Sequence, residues 1–376
     1  MASLLHLIFL SLLASVSLVR ANLQVNDASE DGLEQWGYIE VRSKAHMFWW
    51  LYTSPNRVED PSNPWPIILW LQGGPGGSGV GFVNFMEMGP LDVNLTPRNS
   101  TWLNKADLLV VDSLVGVSFS YVEDENLAVN TDDESAVDLT TLLEALLNGN
   151  ETLQKSPLFI FAESYGGKFA VTLGVSALKA IEAGKLKLHP GVALGDSWIS
   201  PEDFVFSWGP VLKEILALQI QQHLACRRKD FYNFMLDAGQ GRPVVFINAN
   251  EFRGLMRNRY PLSVDNASGS DPGSLMNGVM NHKLKIIPAN LSYRWQGQSQ
   301  IVFPAMTGDF MRPRIKEVDE LLAKGINVTI YNGQVPADQP CISLQMVGNI
   351  TRSPKTVPHK QSESCGAKTN PRANLH

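Results

Sequence analysis

Cysteine is scarce, with only Cys226, Cys341 and Cys365 among 376 residues. A fold held by a dense disulfide framework is therefore excluded, and in an oxidising compartment at least one thiol lacks an internal partner. A basic excess is also missing: 31 Lys and Arg stand against 37 Asp and Glu, a net charge of −6. Nucleic acid is not an expected partner, because it requires a concentrated basic surface. After the first twenty or so residues no apolar run is long enough to span a bilayer, so no membrane span is expected in the body of the chain. No cofactor and no metal site are expected.

What is present is the composition of a globular protein, 44% hydrophobic and 18% charged, with nine Trp and sixteen Phe. A chain of this length can bury one large core, so one main domain carrying an insertion is expected. Residues 1–21 hold an apolar run from about Leu4 to Val19, broken by Ser11, Ser15 and Ser17, with Ala21 at a plausible cleavage point. This reads as a secretory signal peptide too short for a membrane anchor. Seven Asn-x-Ser/Thr acceptors, at Asn94, Asn99, Asn150, Asn266, Asn290, Asn327 and Asn349, suit the same route. An extracellular or vacuolar/lysosomal destination follows, with residues 22–352 as the folded domain.

Trp36–Val41 and Ala45–Tyr52 read as a hairpin. Three short apolar runs, Pro66–Leu71, Asp107–Asp112 and Pro157–Phe161, read as buried parallel strands. Thr131 and Glu134 form a capping box ahead of Val137, Leu139, Leu142, Leu143, Leu146 and Leu147 at helical spacing, ending near Gly149. Further strands are expected at Val192–Leu194 and Asn327–Tyr331, with a helix from about Arg314 to Lys324. Strand alternating with helix predicts an α/β fold: a mixed, mostly parallel sheet flanked by helices. Residues 201–285 break the rhythm and read as a helical insertion; residues 353–376 read as a polar, disordered tail.

The chemistry concentrates in two places. Phe159–Gly167, FIFAESYGG, sets Ser164 at the end of an apolar strand, between small residues and before a helix. That is the pattern of a nucleophile elbow, with Ala162 where many hydrolases have Gly. The glycine loop Gln72–Gly79 follows another strand. Its alternative reading is a phosphate cradle, set aside because it lacks both a Gly-Lys-Ser/Thr ending and a following helix. An acyl-transfer serine needs donors for the transition-state oxyanion, each worth roughly 3 kcal/mol. Backbone N–H groups near Gly74 and of Tyr165 can supply them.

Six segments in order carry a specific resemblance: WLQGGPGGSG from Trp70, EMGP from Glu87, DSLVGVSFSYV from Asp112, AESYGG from Ala162, GDSWISP from Gly195 and VPADQP from Val335. Together they resemble the serine carboxypeptidases of the α/β-hydrolase superfamily, nearest to the retinoid-inducible and plant carboxypeptidase-like branch. The resemblance implies an α/β-hydrolase fold, Ser164 as nucleophile, and Gly74 and Tyr165 as the oxyanion hole. It also implies that Gln72, Glu87 and Glu163 bind the carboxylate of a peptide or protein carboxyl terminus. Two acids can do so only by sharing a proton, since neighbouring carboxylates repel and one pKa rises.

Several departures stand against that pattern. Leu114 and Ser118 occupy positions where the family has Pro and Gly. More seriously, the family's Asp follows the text seen here as VTIYNGQ, Val328–Gln334, and its His precedes Val-Pro-x-Asp-Gln-Pro. Here Val335 joins the two segments directly, so both are missing and an internal deletion shortens the carboxyl-terminal part. His46, His189, His223, His282, His359 and His376 read as solvated or core residues, and Asp338 as a turn residue past the missing base. A serine without a base is a weak nucleophile; losing the base costs roughly 10⁶-fold in turnover, about 8 kcal/mol of barrier. Three readings follow: a serine-type carboxypeptidase working through an acyl-enzyme, a catalytically inactive relative, and an acyltransferase using the same site. An uncovered strand edge and poor stability are expected at the deletion.

Overall fold

The computed structural model describes residues 23–204, 272–285 and 294–331. Residues 1–22, most of the insertion, the Gln334–Pro336 join, Asp338, all three cysteines, the tail, and Asn266, Asn290 and Asn349 lie outside the described residues.

Within them the chain forms one nine-stranded sheet. Its strands are β1 (Leu23–Ala28), β2 (Glu34–Arg42), β3 (Ala45–Tyr52), β4 (Ile67–Leu71), β5 (Asp107–Val111), β6 (Tyr121–Val122), β7 (Leu158–Glu163), β8 (Pro190–Gly195) and β9 (Val328–Tyr331). The order is β1-β2-β3-β5-β4-β7-β8-β9, with β6 paired to β3. The first three strands are antiparallel and the set β5-β4-β7-β8-β9 is parallel. The mostly parallel α/β architecture expected from the sequence is present, and its strands fall where the apolar runs place them.

Four helices position the chemistry: α1 (Gly79–Phe82), which continues into a π turn at Val83–Glu87, α2 (Asp132–Asn148), α3 (Gly166–Glu182) and α4 (Ile315–Ala323). Half of the expected capping box forms: Thr131 Oγ1 accepts from Glu134 N at 3.2 Å, while Glu134 accepts from Asn130 N, one residue before the cap, at 2.7 Å. Leu139, Leu142, Leu143, Leu146 and Leu147 are buried, but Val137, grouped with them on spacing, is 60% exposed. The expectation that no helix follows the glycine loop is corrected by α1. Ser78 caps it by accepting from Gly81 N, and burial of Val80 and Val83 overrides the poor helix propensity of the Gly-rich text. The phosphate reading still lacks its lysine.

Because side chains alternate across a strand, the sheet has two distinct faces. Leu69, Leu109, Ile160 and Val192 join one core with α2, α3 and α4 residues such as Leu143, Phe169 and Leu321. Trp36, Phe48, Trp50, Trp70 and Val110 join a second core with Leu275, Met280, Leu284 and Trp295. At Leu114 and Ser118 the backbone is unusual: the Ser113–Leu114 peptide is cis, and Ser118 has φ +47°. Ser118 Oγ donates to the Gln296 carbonyl, anchoring this unusual conformation for a non-glycine residue. No helix among the described residues is long and apolar enough to cross a membrane.

Candidate active site

β7 delivers Ser164 to the carboxyl edge of the sheet, and the turn into α3 holds it at φ +56°. That left-handed conformation is costly for a serine and persists only where neighbours enforce it. Three contacts do so. Ser164 N donates to Gly195 O at 2.9 Å and its carbonyl accepts from Trp198 N at 2.8 Å; Gly166 packs so tightly that a Cβ would lie 2.2 Å from Leu71 O. Ala162 fills the position before the turn without exposure, so the elbow tolerates Ala in place of Gly.

The glycine loop crosses directly beside this serine. A Cβ on Gly73 would stand 2.9 Å from both Ser164 Cβ and Tyr165 N. Gly74 adopts φ +121° before the cis Gly74–Pro75 bond, a region open to glycine. Gln298 Nε2 donates to Pro75 O at 2.7 Å, while Ser78 Oγ donates to Asp112 Oδ1 at 2.7 Å. Asp112 also accepts from Val80 N and Phe119 N, fixing the loop to the end of β5; burial pushes its carboxyl up to about 6. The two segments bearing the sequence-predicted donors, Gly74 and Tyr165, therefore meet around Ser164.

The three sequence-predicted carboxylate-binding residues also assemble. Gln72 Nε2 donates to Glu163 Oε2 at 3.3 Å, and Trp70 Nε1 donates to Gln72 Oε1 at 2.7 Å, which orients the amide. Glu87, at the end of the π turn, is exposed as a residue, yet the protein around its carboxyl and, after that, the charge of Glu163 push its pKa up to about 7. Trp70 was not singled out from sequence, where a Trp inside an apolar strand reads as core. Tyr331, at the end of β9, adds a hydroxyl beside this group; burial and then the charges of Glu163, Asp196 and Glu87 push its pKa up.

Beneath the elbow lies a charged network that sequence reasoning missed. Tyr165 Oη donates to Asp132 Oδ1 at 3.0 Å and accepts from Lys168 Nζ at 3.1 Å. Lys168, wholly buried, also lies 3.3 Å from Asp132 Oδ2 and donates to the carbonyls of Asp309 and Phe310 at 2.6 and 3.2 Å. Arg314 closes the group, donating to Asp132 and Asp309, each at 2.8 Å. Burial raises Asp132 to about 6 despite Lys168, and lowers the Lys168 pKa despite Asp132. The only signal available was a lysine within an otherwise apolar helix face four residues after the serine.

No histidine among the described residues joins Ser164. His46 lies 3.1 Å from Glu123 and stacks on Tyr121 at 4.6 Å. His189 leads into β8 at the opposite end of the strand from Ser164, and His282 belongs to the Asn281–Leu284 helix. Among the acceptor asparagines, Asn94, Asn99 and Asn327 are exposed; Asn150 is half-buried and caps the Glu151–Lys155 helix.

A family model described as serine carboxypeptidase matches residues 26–234. "Serine carboxypeptidase-like 51" of Arabidopsis thaliana is 45% identical over 440 residues, covering 88% of this chain and 95% of the relative. "Retinoid-inducible serine carboxypeptidase" of Mus musculus is 41% identical over 368 residues, covering 88% and 79%. A solved structure, the prohormone-processing carboxypeptidase Kex1Δp from Saccharomyces cerevisiae, superposes with a TM-score of 0.65 at 19% identity, over 80% of this chain and 73% of that one. That last likeness concerns the fold alone.

Proposed function

The chain belongs to the serine carboxypeptidase family of hydrolases, and on that premise we propose that its Ser164 site binds peptide carboxyl ends without turning them over. The observation carrying this reading is the bonded set Trp70–Gln72–Glu163, with the raised acid Glu87, built beside a serine held at φ +56°. A protonated Glu87 can donate to an incoming carboxylate, whereas two ionised acids would repel it. Gly74 and Tyr165 N–H groups serve as the oxyanion donors, and a peptide lies with its last carbonyl against Ser164.

Turnover fails for want of a base. Without one Ser164 keeps its proton, and oxyanion donors alone cannot recover about 8 kcal/mol. The Asp and His belong between Gln334 and Pro336, where the sequence has a single Val335. An alignment of 440 positions that takes in only 88% of a 376-residue chain supports an internal shortening. The amino-terminal apolar run and the exposed acceptors Asn94, Asn99 and Asn327 support passage through the secretory pathway.

A fluorophosphonate probe tests the reading. We expect no adduct on Ser164 in a time that fully labels a serine hydrolase with an intact triad. Stoichiometric labelling, lost in Ser164→Ala, would instead establish an active acyl-enzyme former, either peptidase or acyltransferase.

A further inference from the structure

At the end of the sheet opposite Ser164, the segments leading into three neighbouring strands enclose a cleft of about 830 Å³. Residues 57–65 precede β4, residues 152–156 precede β7, and residues 184–189 precede β8. Backbone bonds from Ile67 N to Pro157 O at 2.9 Å and from Leu158 N to His189 O at 3.1 Å join the three. The six residues of β7 set this cleft about 20 Å from Ser164.

The chemistry of the cleft is divided. Half-buried Trp65 and Ile181, with buried Leu186 and Leu188, give it an apolar floor. On the β4 side stand two acids. Glu59 pairs with Arg57 at 2.7 Å, and Arg57 also engages buried Asp107, so that cation is neutralised. Asp60 keeps its charge: Ser62 N and Oγ donate to its Oδ1 at 2.9 and 2.6 Å and lower its pKa, the hydroxyl bond most. Its Oδ2 accepts nothing among the described residues. On the β7 and β8 side stand Lys155 and Lys187, both exposed and neither in an ion pair among the described residues.

We propose that this cleft binds a small zwitterion with an apolar body, a dipeptide whose two ends are free. Its ammonium lies at Asp60, its carboxylate at Lys155 and Lys187, and its side chains on the Trp65 floor. A lone anion would meet Asp60 and a lone cation the lysines, so only a molecule carrying both charges gains on each side. The dimensions agree. β4 and β8 are two strand spacings apart, about 10 Å, and an extended dipeptide spans about 7 Å. The volume falls among those of small-molecule sites. An acyl-blocked peptide, which leaves the carboxylate proposed for the Ser164 site intact, loses the Asp60 contact here. Binding at the cleft is independent of whether Ser164 reacts.

The test uses the full chain and the photoreactive dipeptide p-benzoylphenylalanyl-leucine. Irradiation and fragment sequencing should place a saturable adduct within residues 57–65, 152–156 or 181–189. N-acetylating the probe should cut that labelling about fivefold, the upper value for an exposed ion pair. Asp60→Asn, which keeps an acceptor for Ser62, should do the same, and so should Lys155→Gln combined with Lys187→Gln. All three positions are exposed, so these variants should unfold at the temperature of the parent chain. Labelling confined to the segments around Ser164, labelling that neither N-acetylation nor the substitutions reduce, or no saturable labelling would each overturn the proposal.

Discussion

Gly73 and Ser164 are in direct backbone apposition: a Cβ on Gly73 would fall 2.9 Å from Ser164 Cβ and 2.7 Å from the Glu163 carbonyl oxygen. Neither neighbour is the flexible end of a long side chain, so the added methyl has nowhere to go. Gly73→Ala is expected to cost about 1–3 kcal/mol by overpacking. Denaturant unfolding should show the midpoint falling with an unchanged slope.

On the proposed reading, Glu87 should give carboxylate binding its pH dependence. With its carboxyl raised to about 7, the group is protonated in mildly acidic solution and turns repulsive as pH rises through neutrality. Affinity for an N-blocked dipeptide acid should fall about tenfold between pH 6 and 8, a change of about 1.4 kcal/mol. Glu87→Gln, neutral throughout, should flatten the profile to under about twofold, as read by titration calorimetry.

Lys168 carries the largest expected stability effect. Lys168→Met would leave Asp132 in the core with Arg314 as its remaining buried cation, while Asp309 also draws on Arg314. Removing one member of a buried pair typically costs about 3–5 kcal/mol. Adding Asp132→Asn restores charge balance and should recover more than half of the loss, a coupling that a double-mutant cycle measures.

Carboxyls raised by desolvation, Asp107 among them, govern the pH dependence of stability near neutrality. Desolvation raises Glu87 to about 7 and Asp112, Asp132 and Asp138 each to about 6. The folded protein therefore holds protons that the unfolded chain has released between about pH 4 and 7. Stability must fall as pH rises through that window. In Asp309 burial is outweighed by hydrogen bonds from Asp132 and Arg314, so its pKa is lowered and acts in the opposite sense only at lower pH. Scanning calorimetry should give a higher Tm at pH 5 than at pH 7.5.

Much of the fold was legible because apolar runs in parallel strands and the Thr131–Glu134 cap are local signals. β1, LQVNDA, was missed, since its polar text does not alternate cleanly and a sheet edge tolerates it. α1 was missed because GVGF reads as loop until tertiary burial is known. In the site, Ser164 was readable from its strand–turn–helix setting. Gln72, Glu87 and Glu163 come from distant segments, and only a resemblance joined them. Lys168, Asp132 and Arg314 were not legible as a group: Lys168 stands out only as a lysine on an apolar helix face, Asp132 and Arg314 read as surface charges at helix starts, and only packing reveals their shared burial.

Recognition without turnover can be measured in one experiment. Incubating the protein at pH 5.5 with an N-blocked dipeptide acid and, separately, its carboxyl-terminal amide, with binding and released amino acid followed together, tests it most directly. Saturable binding of the acid, at least tenfold weaker binding of the amide and no released amino acid are expected. Release that disappears in Ser164→Ala would contradict it.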